Sequence, residues 1–245
     1  MPNQPLAGAT VTNMRERQVE RIQMAQSVDD LIGRVRAELE ATGVADNTYL
    51  VFSSDNGFHL GEHALRAGKL TAYDHDIRVP LIVVPPGGSA PRTVTELTQN
   101  TDLLPTFLGL AGAPVQPGTV DGRSVAPLIR GDDPGGWRTG AFVEFTGKVI
   151  HKEPKASRVP PSYRAIRTAE YLYVDYSADQ GPPARGEGEF YDLAADPGQV
   201  VNRFLDLSTS DVRALDRAVE RYAGCSGSSC DRAARTGPTI VLDRR

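Results

Sequence analysis

The sequence has little of what marks several large functional classes. In 245 residues it carries two cysteines, three methionines and one tryptophan. No apolar run approaches the roughly 18 residues of a membrane-spanning helix. Acidic and basic residues nearly balance, 31 against 27, for a net charge of -4. Neither a nucleic acid nor a membrane surface finds the electrostatic footprint it needs, so partners of these kinds are not expected. The amino-terminal stretch Met1-Pro-Asn-Gln-Pro-Leu6 has neither a basic region nor an apolar core of the kind that directs export, and localisation stays open. Cys225 and Cys230 lie in a supple Cys-Ser-Gly-Ser-Ser-Cys segment. That segment can close as a disulfide or hold two free thiols; a metal site would need further ligands, which are absent nearby.

What is present is a chain able to bury a core, with 40% hydrophobic residues. Val28, Leu31, Ile32, Val35 and Leu39 recur at helical spacing and predict a helix from about Thr12 to Ala41, with Gly43 at its carboxyl cap. Asn47 to Phe52 then reads as a buried strand, continuous in β-branched and aromatic residues. Helix, short turn and strand make α/β grammar. A second strand, Val79 to Val84, stops at Pro85-Pro-Gly-Gly88, and Thr101-Asp102 is placed to cap a helix from Leu103 to Ala111.

From about Ala113 glycine and proline become frequent, and short β-like runs alternate with turns. Residues 1–112 are therefore read as one sheet-and-helix domain. Residues 113–245 are read as a small α+β subdomain and tail. Its antiparallel sheet is expected over Lys152 to Leu193, covered by a helix that presents Val212, Leu215, Val219 and Tyr222 on one face.

The chemistry concentrates in the loop after the first strand, Ser53-Ser-Asp-Asn-Gly-Phe-His-Leu-Gly-Glu-His63, which continues to Gly68-Lys69. Strand carboxyl ends are where open α/β sheets bind ligands. Asp55 and Asn56 offer a carboxylate and an amide oxygen, hard donors suited to Ca²⁺ or Mg²⁺, although Asp-Asn-Gly by itself also makes an ordinary turn.

This loop, with Gly68-Lys69, Asp76-Ile-Arg-Val-Pro-Leu-Ile-Val83, Val28-Asp-Asp30, Asp102-Leu-Leu-Pro-Thr106 and Tyr191-Asp-Leu193, resembles the sulfatase family. The resemblance runs from about Arg15 to Cys230. It implies a partial alkaline phosphatase-like fold of the α/β class, followed by the small α+β subdomain. It also implies a calcium-dependent hydrolase of sulfate esters acting on a sulfated small molecule or glycan. By the same resemblance Asp55 and Asn56 match two ligands of one Ca²⁺, and Lys69 matches the lysine that contacts the sulfate. His59 and His63 can each serve as a substrate-binding or proton-transferring group; the alternative for both is a loop histidine that holds a neighbouring carbonyl or carboxylate. Asp76 is read as an outer brace for Lys69 or Arg78, or as an ordinary surface ion pair.

Two family features have no match. An early Asp-Asp pair is missing, as is the Cys/Ser-x-Pro-x-Arg motif whose first residue becomes formylglycine, the nucleophile; Ser89-Ala-Pro-Arg92 places its arginine one position too early. The resemblance therefore implies a carboxyl-terminal part, inactive alone: either a truncated gene product, or a fragment whose partner is a complementary amino-terminal chain. Two other functions stay open: a phosphonate or phosphodiester hydrolase of the same superfamily, and a non-catalytic interaction module.

Overall fold

A computed structural model describes residues 5–116, 118–147, 160–176 and 188–240. It divides into two compact units, Met1–Thr93 and Val94–Arg245. The change of composition at Ala113 thus falls inside the second unit.

The first unit opens with helix α1, Gly8–Ala41. Its end is closed by Thr42, whose backbone N–H donates to Glu38 O, and by Gly43, at φ 71°, whose N–H donates to Glu40 O. Strand β1, Leu50–Ser53, pairs antiparallel with strand β2, Leu81–Val84, in the register Phe52 to Ile82 and Leu50 to Val84. Between them runs the polar loop with a single helical turn, α2, Asp74–Ile77. The expectation of a buried first strand needs correcting. Phe52 is 37% exposed and Ile82 56%, because these two strands form a two-stranded sheet by themselves. The apolar face of α1 is likewise open, with Val28, Leu31 and Val35 all exposed.

The second unit carries the core. Helices α3, Leu103–Leu110, and α4, Ala126–Arg130, precede a four-stranded antiparallel sheet. Its strands are β3 Gly140–Phe145, β4 Tyr163–Thr168, β5 Tyr171–Asp175 and β6 Gly188–Asp192, in that spatial order. Every residue of β5 is buried, as befits an inner strand of a covered sheet. The expected sheet is present from Tyr163 onward; the expected stretch from Lys152 to Val159 lies outside the described residues.

Helix α5, Thr209–Ala223, lies on one face of this sheet, started by a reciprocal cap between Ser208 and Asp211. Leu215, Val219 and Tyr222 pack with Ile166, Tyr173 and Phe190, which stand opposite one another across β4, β5 and β6, while Val212 is partly buried at the edge. Tyr222 stacks on Phe142 at 5.3 Å, and its hydroxyl donates to Gly140 O at 2.7 Å. Cys225 and Cys230 form a disulfide that ties the end of α5 to helix α6, Ser228–Ala234. No helix among the described residues is long and apolar enough to cross a membrane.

This distribution sets an expected dynamic contrast. Among the described residues, Met14 and Ala72 are the buried hydrophobics of the first unit, against a continuous aromatic and aliphatic cluster in the second. Buried apolar area is what holds backbone amides closed against exchange. Amide hydrogen exchange of the purified chain should therefore be on the order of 100-fold slower in β4 and β5 than in β1 and β2. Equal protection in both sheets would show that the open faces of the first unit are covered in solution.

Candidate active site

The site is built from the loop between β1 and β2, and its shape follows from a few backbone contacts. Gly57 N donates to Asp76 O and Phe58 N to His75 O, both at 2.7 Å. These bonds press the loop so close to α2 that a Cβ on Gly57 would lie 2.0 Å from His75 O, so only glycine fits there. Further on, His59 N donates to Gly68 O at 3.0 Å and Gly68 N to His59 O at 3.1 Å. This short bridge folds the outgoing strand of the loop back on the incoming one. Lys69, the next residue, is thereby delivered to Asn56.

The contact is direct: Lys69 Nζ donates to Asn56 Oδ1 at 3.0 Å. Asn56 is oriented for it, because its Nδ2 donates to Gly57 O at 2.8 Å and leaves Oδ1 facing the ammonium. Asp55 is exposed beside it, with Oδ1 accepting from Asn56 N at 2.9 Å. The structure thus brings Asp55, Asn56 and Lys69 together at the carboxyl end of β1.

The two histidines occupy other places. His59 is 6% exposed, and its Nδ1 lies 2.9 Å from both carboxylate oxygens of Asp76. Asp76 Oδ2 also accepts from Thr71 N at 2.9 Å and Thr71 Oγ1 at 2.6 Å. Burial alone would raise the Asp76 carboxyl, but the bonds from His59 and Thr71 outweigh it and hold it below its usual range. Asp76 is therefore not a surface ion pair; it is a buried acceptor that fixes His59 and Thr71 on either side of Gly68-Lys69 and so braces the Lys69 segment from behind, without touching Lys69 itself. Its reach back to His59 is what escapes a linear reading, since the motif residues on both sides are polar and equally able to face solvent.

His63 stacks on Tyr73, ring centroids 3.8 Å apart and planes within 11°. Its backbone is at φ 55°, in the left-handed region that non-glycine residues rarely occupy. Glu62 accepts from Leu60 N; burial would raise this carboxyl, but backbone hydrogen bonds and the nearby His75 and His59 bring it below its usual range.

An open cleft of about 460 Å³ lies over Asn56 and Lys69. Arg21 from α1 and Arg78 from the turn before β2 also line it, whereas His59 and His63 do not. Arg21 stands over Phe58 with its guanidinium carbon 4.4 Å from the ring centroid. No motif or spacing in the sequence points to that residue; only the fold lays α1 against the loop.

The donor set bears on the metal. Among the described residues no cluster of three or more His, Cys, Asp or Glu side chains could hold an ion. Asp55 and Asn56 are adjacent hard oxygen donors, of the type Ca²⁺ takes, and they make up a part of the six to eight it needs.

Comparison with known proteins accords with this loop and sheet. Residues 8–113 match the family model "Sulfatase", and residues 61–221 match "N-sulphoglucosamine sulphohydrolase, C-terminal". Human N-acetylglucosamine-6-sulfatase is 29% identical over 98% of this chain and 48% of its own length. The structure of BT4656 in complex with its substrate D-glucosamine-2-N,6-O-disulfate superposes with a TM-score of 0.64 at 31% identity, covering 80% of this chain and 37% of that one. A phosphonate monoester hydrolase of Agrobacterium radiobacter superposes with a TM-score of 0.65 at 31% identity, over 80% and 38%. The chain belongs to the sulfatase family, whose fold is alkaline phosphatase-like. It spans less than half the length of the human relative.

Proposed function

We propose that this chain forms one wall of a calcium-dependent sulfatase active site that acts on sulfate esters of a sugar. The observation that carries the reading is the Lys69–Asn56 contact at 3.0 Å beside the exposed Asp55 carboxylate, within a loop of the family's type. A mobile ammonium next to two hard oxygen donors suits a tetrahedral oxyanion and the cation that neutralises it. Lys69 binds a sulfate oxygen and stabilises charge as it develops toward the leaving oxygen. Asp55 and Asn56 would hold one Ca²⁺ jointly with donors from outside this chain, and that ion would supply the positive charge that orients the sulfate and withdraws charge from it. Asp76, through His59 and Thr71, positions the Gly68-Lys69 segment and does not itself touch the substrate. The nucleophile, a formylglycine in this reading, also comes from outside the chain.

The reading is tested by mixing the chain with the amino-terminal half of a sulfatase relative that carries its nucleophile, and following an aryl sulfate in the presence of Ca²⁺. The chain alone is expected to give no turnover, and the mixture to give turnover that chelation removes. Turnover by the isolated chain would mean that a nucleophile lies within these residues, with Ser54 and Thr71 the first to test. A second reading, phosphonate ester hydrolysis, draws support from the likeness to the phosphonate monoester hydrolase. It predicts that the same mixture prefers an aryl phosphonate over the sulfate.

A further inference from the structure

We infer that Arg21 and Arg78 form a second anion subsite in the Lys69 cleft, so that the cleft takes a ligand with two anionic groups. Such a ligand is a sugar unit bearing two sulfates. The inference rests on the sulfatase reading for the first of those groups and on the structure of the cleft for the second.

Three cationic side chains, Arg21, Lys69 and Arg78, line the cleft, and no carboxylate does. A sulfate monoester carries a single negative charge, which Lys69 alone can match. Even with the exposed Asp55 carboxylate beside Lys69 counted, two further guanidinium groups leave the cleft with a cationic surplus that a second anion would match.

Among the described residues, neither arginine has an acidic partner. Positions three and four residues from Arg21 along α1 hold Arg17, Gln18, Met24 and Ala25, so the helix gives it no acidic neighbour. No ion pair within 4.0 Å involves Arg21 or Arg78 among the described residues. Asp76, two residues before Arg78, is turned inward and engaged by His59 and Thr71.

Arg21 is also held in place. Its guanidinium stands over the face of Phe58, which attracts the cation and leaves the planar edge of N–H donors open. That edge matches the oxygens of a sulfate or carboxylate in a two-point contact. Val79 and Pro80 give the cleft an apolar side where a sugar ring can lie, and its volume of about 460 Å³ is that of a small-ligand site.

The test is calorimetric titration of the chain with glucosamine 6-sulfate and with glucosamine bearing sulfates on both N2 and O6. The disulfated sugar should bind about tenfold more tightly than the monosulfated one. Arg21→Gln should weaken the disulfated sugar about tenfold while weakening the monosulfated one less than about threefold, and Arg78→Gln should act in the same direction. Both side chains are exposed, so circular dichroism should be that of the parent chain. Equal affinity for the two sugars, a preference that survives both substitutions, or binding of neither by the folded chain would overturn the second subsite. The sulfatase reading fails separately, by hydrolysis: an assembled enzyme that cleaves phosphonates but not sulfate esters leaves the two-anion preference standing.

Discussion

Asp102→Ala is expected to lower the melting temperature of the second unit by roughly 10 °C, corresponding to a loss of about 3–5 kcal/mol. The Asp102 carboxylate is 1% exposed and accepts four hydrogen bonds from three separate stretches of chain. Gln99 N donates to it at 2.8 Å, Arg123 N at 2.7 Å, and the two terminal nitrogens of Arg138 at 2.6 Å each. Deleting the carboxylate leaves the Arg138 guanidinium, 3% exposed, with Gln99 Oε1 at 3.2 Å as its remaining side-chain acceptor. Arg138 Nε already lacks a partner among the described residues, so no reserve of acceptors exists nearby.

A buried ion pair is costly to break and much less costly to replace whole. The double change Asp102→Leu with Arg138→Met should therefore recover most of the lost stability. Against a total of about 5–15 kcal/mol for a typical domain, the single change removes a large share. Thermal unfolding followed by circular dichroism reads both variants. A loss below about 1 kcal/mol for Asp102→Ala would show that the pair is not the clamp its geometry describes.

That clamp was only partly legible in the sequence. Thr101-Asp102 before an apolar run reads as a helix cap, and α3 does begin at Leu103. Yet Asp102 turns its carboxylate back to Gln99 and across to Arg123 and Arg138, because an arginine 36 residues later offers two charge-assisted bonds that a cap cannot match. Local pattern reports local bonds, and a partner brought by the sheet does not register in it.

The same distinction explains α1 and the first strand. Periodicity identified Val28, Leu31 and Val35 as one apolar face, and continuous hydrophobicity identified Leu50 to Phe52 as a strand. Both elements are present. Neither pattern says what covers an apolar face, and here both faces stay open. The disulfide was legible as a possibility of the supple Cys225–Cys230 segment and was decided by the fold, which packs α6 beneath the end of α5.

The proximity of Asp55, Asn56 and Lys69 was legible because the motif specifies residue types at fixed spacing, and the His59–Gly68 bridge converts that spacing into contact. The histidines were ambiguous for a physical reason. An imidazole serves both as a proton carrier and as a partner of a buried carboxylate, and only the fold shows that His59 turns its Nδ1 to Asp76. Arg21 was not legible at all, since its relation to Phe58 depends on how a long helix lies against a distant loop.

The largest functional effect is expected at Lys69. In the enzyme assembled from this chain and a nucleophile-bearing amino-terminal half, Lys69→Ala should lower kcat for an aryl sulfate by about 10²–10³-fold. The magnitude follows from what the proposed function asks of the ammonium. It is an exposed side chain held by one hydrogen bond to Asn56 Oδ1, free to exchange that neutral acceptor for a sulfate oxygen whose charge grows as the ester bond breaks. An interaction that strengthens toward the transition state is lost chiefly from kcat, so KM should change less than kcat.

Lys69→Arg keeps the charge but spreads it over a larger planar group, and should retain an intermediate rate. Because the side chain is exposed and supports no other described contact, neither variant should shift thermal unfolding by more than about 0.5 kcal/mol. Inorganic sulfate should inhibit the parent enzyme competitively and the alanine variant much more weakly. A fall in kcat below about tenfold, with sulfate inhibition unchanged, would remove Lys69 from the sulfate and leave the loop's cationic cleft to Arg21 and Arg78.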